Sequence, residues 1–312
     1  MADADRFPFA FGVNQFTTQP CSLEQDVERY VDLGDEAIEV CEAKLDEERW
    51  PEQMTLVANS GLQVSAVQPL VRTFGASAMQ PEPKGLEARV ARLRLTIERL
   101  APFARGRPFV VNTGAPEDGD VAGMVETTIR ELRALAPFAA DHGVTLALEP
   151  LSATSMNAET GIWTVGQALD ILSAVDSPDV GLCLDLWNVW QDAGLIDDIR
   201  QAGGRILVLQ VSDWRTPRSG GDRLVPGDGA IPLGPLLRLV HETGFKDACT
   251  VEIFSKDVSD SLYDRDPSEV IRASRAGLAQ AWSEGPGTAP EGNAAFTTED
   301  GVVIDASEAA GS

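Results

Sequence analysis

Histidine is nearly missing from this 312-residue chain, which holds only His142 and His241. Neither follows a predicted strand, so Ser-His-Asp and Cys-His mechanisms lack their base. Lysine is almost as scarce, at Lys44, Lys84, Lys246 and Lys256, and the net charge is −24. Such a chain is repelled by phosphate backbones and anionic lipid, which disfavours nucleic acid and membrane surfaces as partners. The four cysteines, Cys21, Cys41, Cys183 and Cys249, share no CxxC spacing, and buried packing is the expected role. No apolar run approaches the length of a membrane span. The opening MADADRFPFAFG has no basic region followed by an apolar stretch, so a cytoplasmic location is expected. A GxGxxG turn is also absent after the first predicted strand, which argues against a nucleotide-binding sheet.

What remains is an alternation of β-rich runs and helical patterns, repeated eight times. The runs fall at 9–16, 37–41, 62–67, 108–113, 144–149, 180–185, 205–211 and 248–254. Helical patterns occupy 24–33, 47–60, 86–105, 121–141, 164–175, 192–202, 233–243 and 267–281, and Pro137 suggests a kink or break late in the fourth. Eight such units predict an α/β fold of the (β/α)8 TIM-barrel type, a single domain over 1–283. The loop RTFGASAMQPEPKG (72–85) reads either as a lid or as a solvent loop. Residues 284–312 carry six acidic and no basic residues and have little to bury, so an acidic, weakly structured C-terminal tail is expected there.

Four polar side chains stand at the C-terminal ends of predicted strands: Glu149 in VTLALEP, Asp185 in VGLCLDL, Gln210 in RILVLQV and Glu252 in ACTVEIF. Period-two alternation places each at the end of an inward-facing series, so all four converge on one mouth. Three carboxylates and an amide oxygen suit Mn²⁺ or Mg²⁺ better than softer cations. With no imidazole available, Glu149 and Glu252 are the expected proton-transfer pair on a small sugar or polyol carbonyl compound. Returning the proton to the same carbon from the opposite face gives epimerisation, and returning it to the neighbouring carbon, with a proton shift between oxygens, gives isomerisation. Loss of a β-leaving group makes a lyase. A sugar-binding barrel without catalysis stays open as well. Around the mouth, Gln68, Arg72, Asn188, Trp190, Trp214 and Arg223 are candidates for holding substrate, and Asp213 for holding a neighbouring donor.

In EPLSATSMNAETGIWTVGQALDIL, VGLCLDLWNVWQD, GRILVLQVSDWR and GFKDACTVEIFS the chain resembles the xylose-isomerase-like barrels of sugar phosphate isomerases and epimerases. The resemblance covers about 1–282. It implies metal ligation by Glu149, Asp185, Gln210 and Glu252, with the two glutamates as acid and base. Glutamine at 210 is similar to the hydroxypyruvate isomerases. Where family members commonly read Asp-x-x-His this chain has Asp185 to Asn188, and Ser152 stands where a subgroup has histidine. Some similar barrels are C-glycoside deglycosidases. The resemblance also implies a homo-oligomer, or a partner subunit in the lyase case.

Overall fold

Eight short strands, each apolar and buried on both faces, alternate with helices in the computed structural model, which describes residues 6–217 and 220–284. The strands are β1 Ala10–Asn14, β2 Ala37–Cys41, β3 Gln63–Gln68, β4 Pro108–Val111, β5 Thr145–Leu148, β6 Val180–Asp185, β7 Ile206–Val211 and β8 Ala248–Val251. They form one closed parallel barrel in chain order, shut by pairing of β1 with β8. A parallel strand needs a crossover to return, and the helices supply it. These are α1 Leu23–Leu33, α2 Trp50–Asn59, α3 Leu86–Leu100, α4 Val121–Asp141, α5 Val165–Val175, α6 Leu186–Val189, α7 Leu195–Ala202, α8 Leu233–Glu242 and α9 Pro267–Ser283.

Local chemistry sets the helix ends. Ser22 with Gln25 and Thr164 with Gln167 form capping boxes at the starts of α1 and α5, each satisfying orphan backbone donors. Inside the barrel Ala66, Val110, Ala147, Cys183 and Val208 make a compact cluster. Ala147, Cys183 and Val208 lie two residues below Glu149, Asp185 and Gln210, as the period-two argument requires.

Three features refine the sequence reading. The helix α4 runs on through Pro137 to Asp141. Leu132, Leu135, Ala136 and Ala139 are buried there, and that packing outweighs one lost hydrogen bond in the last turns. The residues after Asp185 form the extra helix α6, whose first turn Asp185 caps by accepting from the Trp187 N–H at 3.0 Å. Loop 72–85 is tethered rather than free. Gly75 N–H donates to Thr113, Ala115 N–H to Ala76, and the buried Arg89 binds the carbonyls of Thr73, Gln80 and Pro83. The expected tail lies outside the described residues, apart from Glu284, which caps α9.

At one crossing of that tethered loop the backbones touch. Gly114 has φ +82°, and a methyl group there would lie 2.6 Å from the backbone of Gly75. Gly114→Ala is expected to destabilise the barrel by about 1–3 kcal/mol, the usual scale for strain at such a position. Urea denaturation checks it, and an unchanged midpoint would contradict the packing described.

Candidate active site

The C-terminal ends of β5, β6 and β8 bring Glu149, Asp185 and Glu252 together. All three are buried, and one carboxylate oxygen from each lies within 4.8 Å of the others. Glu149 and Glu252 sit one residue past their strands, while Asp185 ends β6 and pairs in register with Gln210 of β7.

Amide and guanidinium donors hold these oxygens in place. Asn112 Nδ2 donates to Glu149 Oε2 at 3.0 Å, and Asn188 Nδ2 donates both to Glu149 Oε1 at 3.1 Å and to Asp185 Oδ2 at 2.8 Å. Asn14 Nδ2 donates to Glu252 Oε1 at 3.0 Å. Arg223 Nη1 lies 2.9 Å from Asp185 Oδ2 and 3.0 Å from Glu252 Oε2. Its guanidinium carbon stands 4.3 Å above the Trp187 ring.

Three carboxylates facing one contacting guanidinium leave an excess of negative charge out of water. Burial, then the charge of Asp185, pushes Glu149 up to about 7. Burial raises Glu252 to about 8, against the opposing pull of Arg223 and with the repulsion of Asp185 and Glu149. Asp185 is raised as well, by burial. A divalent cation would relieve all three at once, and an all-oxygen donor set suits a hard one. The residues present therefore fit a metal site.

Gln210 is buried beside this triad but turned to other partners. Its Nε2 donates to Glu39 Oε1 at 2.9 Å, and its Oε1 accepts from the Cys183 thiol at 3.1 Å. Gln68 is committed to the same acid, donating to Glu39 Oε1 at 2.9 Å. Arg72 stands on the rim, its Nε donating to Asn112 Oδ1 at 3.1 Å. Trp190 and Trp214 pack edge to face at 5.2 Å.

The Asp213 carboxylate accepts the N–H groups of Trp214, Gly227 and Ile231 at 2.8–3.0 Å, so it ties together the loop that carries Arg223. Asp213→Ala is expected to cost about 1–3 kcal/mol, because backbone donors would lose their acceptor. Faster proteolytic cleavage within 213–231 and a lower melting temperature are the readouts; wild-type cleavage would contradict the clamp.

The two histidines are elsewhere. His142 bonds the Phe138 carbonyl at 2.8 Å after α4, and His241 packs edge to face on Phe9 and Trp282. Sequence reasoning missed Glu39, Asn14 and Asn112. Glu39 had a signal, since AIEVC sets an acid in the middle of an otherwise apolar strand.

Comparison with known proteins gives the family. Residues 27–281 match the family described as xylose isomerase-like TIM barrel, and the chain belongs to it. Over 152 residues it is 29% identical to an inosose isomerase of Halalkalibacterium halodurans, covering 47% of this chain and 51% of that protein. The chain thus matches about half the length of such curated relatives. The structure of protein SMc04130 from Sinorhizobium meliloti 1021 superposes with a TM-score of 0.77 at 26% identity, covering 87% of this chain and 98% of that one. The IOLI protein, crystallised with a bound zinc atom, superposes with a TM-score of 0.73 at 22% identity, covering 89% and 99%. Among the described residues no helix is long and apolar enough to cross a membrane.

Proposed function

We propose that this chain is a divalent-metal-dependent isomerase or epimerase of a small sugar or polyol carbonyl compound. The observation that carries the reading is the buried Glu149–Asp185–Glu252 triad at the barrel mouth. The inosose isomerase relatives support the substrate class. Gln210, in register with Asp185, would complete the ligand set. Mn²⁺ or Mg²⁺ is the preferred ion, because every donor is oxygen and no imidazole reaches the site, although the IOLI protein holds zinc.

Such an ion would act as a Lewis acid toward the substrate's carbonyl and adjacent hydroxyl oxygens. The protein's own residues do the rest. Glu149 and Glu252 follow strands separated by β6 and β7, so they approach a substrate from different sides. One carboxylate takes the proton from the carbon beside the carbonyl, and the electron pair passes into an enediolate. The other returns a proton, either to the opposite face of that carbon or, with a proton shifted from one oxygen to the other, to its neighbour. Asn188 and Asn112 orient Glu149 but exchange no protons near neutral pH. Arg223 anchors Asp185 and Glu252. A partner subunit is not required by this chemistry.

Carbon-13 NMR of ketoses, inososes and hydroxypyruvate incubated with Mn²⁺-loaded protein tests the reading. An isomer or epimer as product supports it. An eliminated fragment would replace it with the lyase reaction, and no turnover across the panel would favour a binding protein.

A further inference from the structure

Beneath the triad lies a carboxylate that proton transfer does not use. Glu39 projects from the middle of β2 and is wholly buried. Its Oε1 accepts two amide donors, Gln68 Nε2 and Gln210 Nε2, each at 2.9 Å. Its Oε2 is buried with no partner among the described residues. A buried acid held in this way needs a reason, because an unsatisfied polar atom is costly inside a protein.

The geometry points to Glu39 as the positioning residue that fixes which end of the Gln210 amide faces the metal site. An amide has a donor end and an acceptor end of nearly equal shape, and only the oxygen can ligate a cation. Glu39 Oε1 is an acceptor whether or not Oε2 carries a proton, so it selects the Nε2 end of Gln210. The reversed amide would set oxygen against oxygen. With Nε2 held on Glu39, Gln210 Oε1 is left on the side of β6, where it meets the Cys183 thiol at 3.1 Å. Strand β6 also carries Asp185, in register with Gln210. A carbonyl oxygen has two lone pairs, so accepting from the thiol leaves one for a cation. Gln68, donating to the same Oε1, braces the acid from the far side.

This inference rests on the metal-site reading above, and the test separates the two. Mn²⁺ affinity of the full chain would be measured by electron paramagnetic resonance, with the melting temperature as a check on folding. Glu39→Gln keeps an acceptor oxygen and is expected to bind Mn²⁺ as wild type does. Glu39→Leu removes it and is expected to weaken binding roughly 10- to 100-fold, the usual cost of losing a group that orients a ligand. In a Gln210→Leu background the Glu39→Leu change is expected to cost nothing further, since both act on one amide.

Should Glu39→Leu not fold, the reciprocal pair serves. Gln210→Glu is expected to bind weakly against Glu39 and to recover with Glu39→Gln, which can turn its own N–H₂ toward the new carboxylate. Equal loss in Glu39→Gln and Glu39→Leu, or additive loss with Gln210→Leu, would overturn the positioning role while leaving the metal site intact. Absence of Mn²⁺ binding by wild type would instead overturn the metal reading and this inference with it.

Discussion

Glu149→Gln and Glu252→Gln are each expected to lower turnover by about 10²- to 10⁴-fold, the range for removing a general acid or base. Each substitution keeps the size of the side chain and deletes its capacity to carry a proton. The hydrogen bonds change too. Glu149 accepts from Asn112 on one oxygen and Asn188 on the other, so an amide must set one N–H₂ group against another donor. Some weakening of metal binding therefore accompanies the catalytic loss. Raising Mn²⁺ until the variants are saturated separates the two effects: binding is expected to recover and turnover is not. Recovery of turnover with metal would reduce both glutamates to ligands and move proton transfer elsewhere.

The second large effect is on pH. Glu149 is raised to about 7, and Glu252 and Glu39 to about 8, from an ordinary value of 4.5, burial being the first cause in each. A carboxyl with a raised folded value binds its proton more tightly folded than unfolded. Its contribution to stability is complete below pH 4.5 and is lost as pH rises through 7 to 8. Metal-free protein should therefore melt at lower temperature at pH 8 than at pH 5.

Metal binding runs the other way, because the ligands must give up those protons. Affinity is expected to rise about 100- to 1,000-fold between pH 6 and pH 8 and then level off. Near pH 6, binding should release about two protons, one from Glu149 and one from Glu252, visible as a dependence of calorimetric enthalpy on buffer. Metal affinity independent of pH over this window would contradict the burial of ionisable ligands.

The barrel was legible because fully buried parallel strands announce themselves as short apolar runs. The limits of β2 and β6 agree with the sequence to the residue. Glu149, Asp185, Gln210 and Glu252 stood out because polar side chains are out of place at the ends of such runs. Less was visible where position and chemistry disagreed. Asn14 and Asn112 fall inside the predicted runs 9–16 and 108–113, where neither was singled out, yet their amides hold Glu252 and Glu149. Glu39 lies within its strand, where no rule about strand ends applies. The segment Leu186–Val189 is too short for helical periodicity to register, and Asp185 is both its cap and a member of the triad. Arg223 was chosen for its charge. The clamp that places it, Asp213 on three backbone N–H groups, depends on loop geometry that only coordinates supply.

The central claim is that strand-end carboxylates around one cation move protons on and off carbon. Solvent deuterium incorporation tests it most directly, with metal-stripped and Mn²⁺-loaded protein incubated in heavy water with the same hydroxy-carbonyl panel. The account predicts labelling at carbon beside the carbonyl that requires Mn²⁺ and is lost in both Glu149→Gln and Glu252→Gln. Labelling that persists in metal-stripped protein, or in both variants, would contradict it.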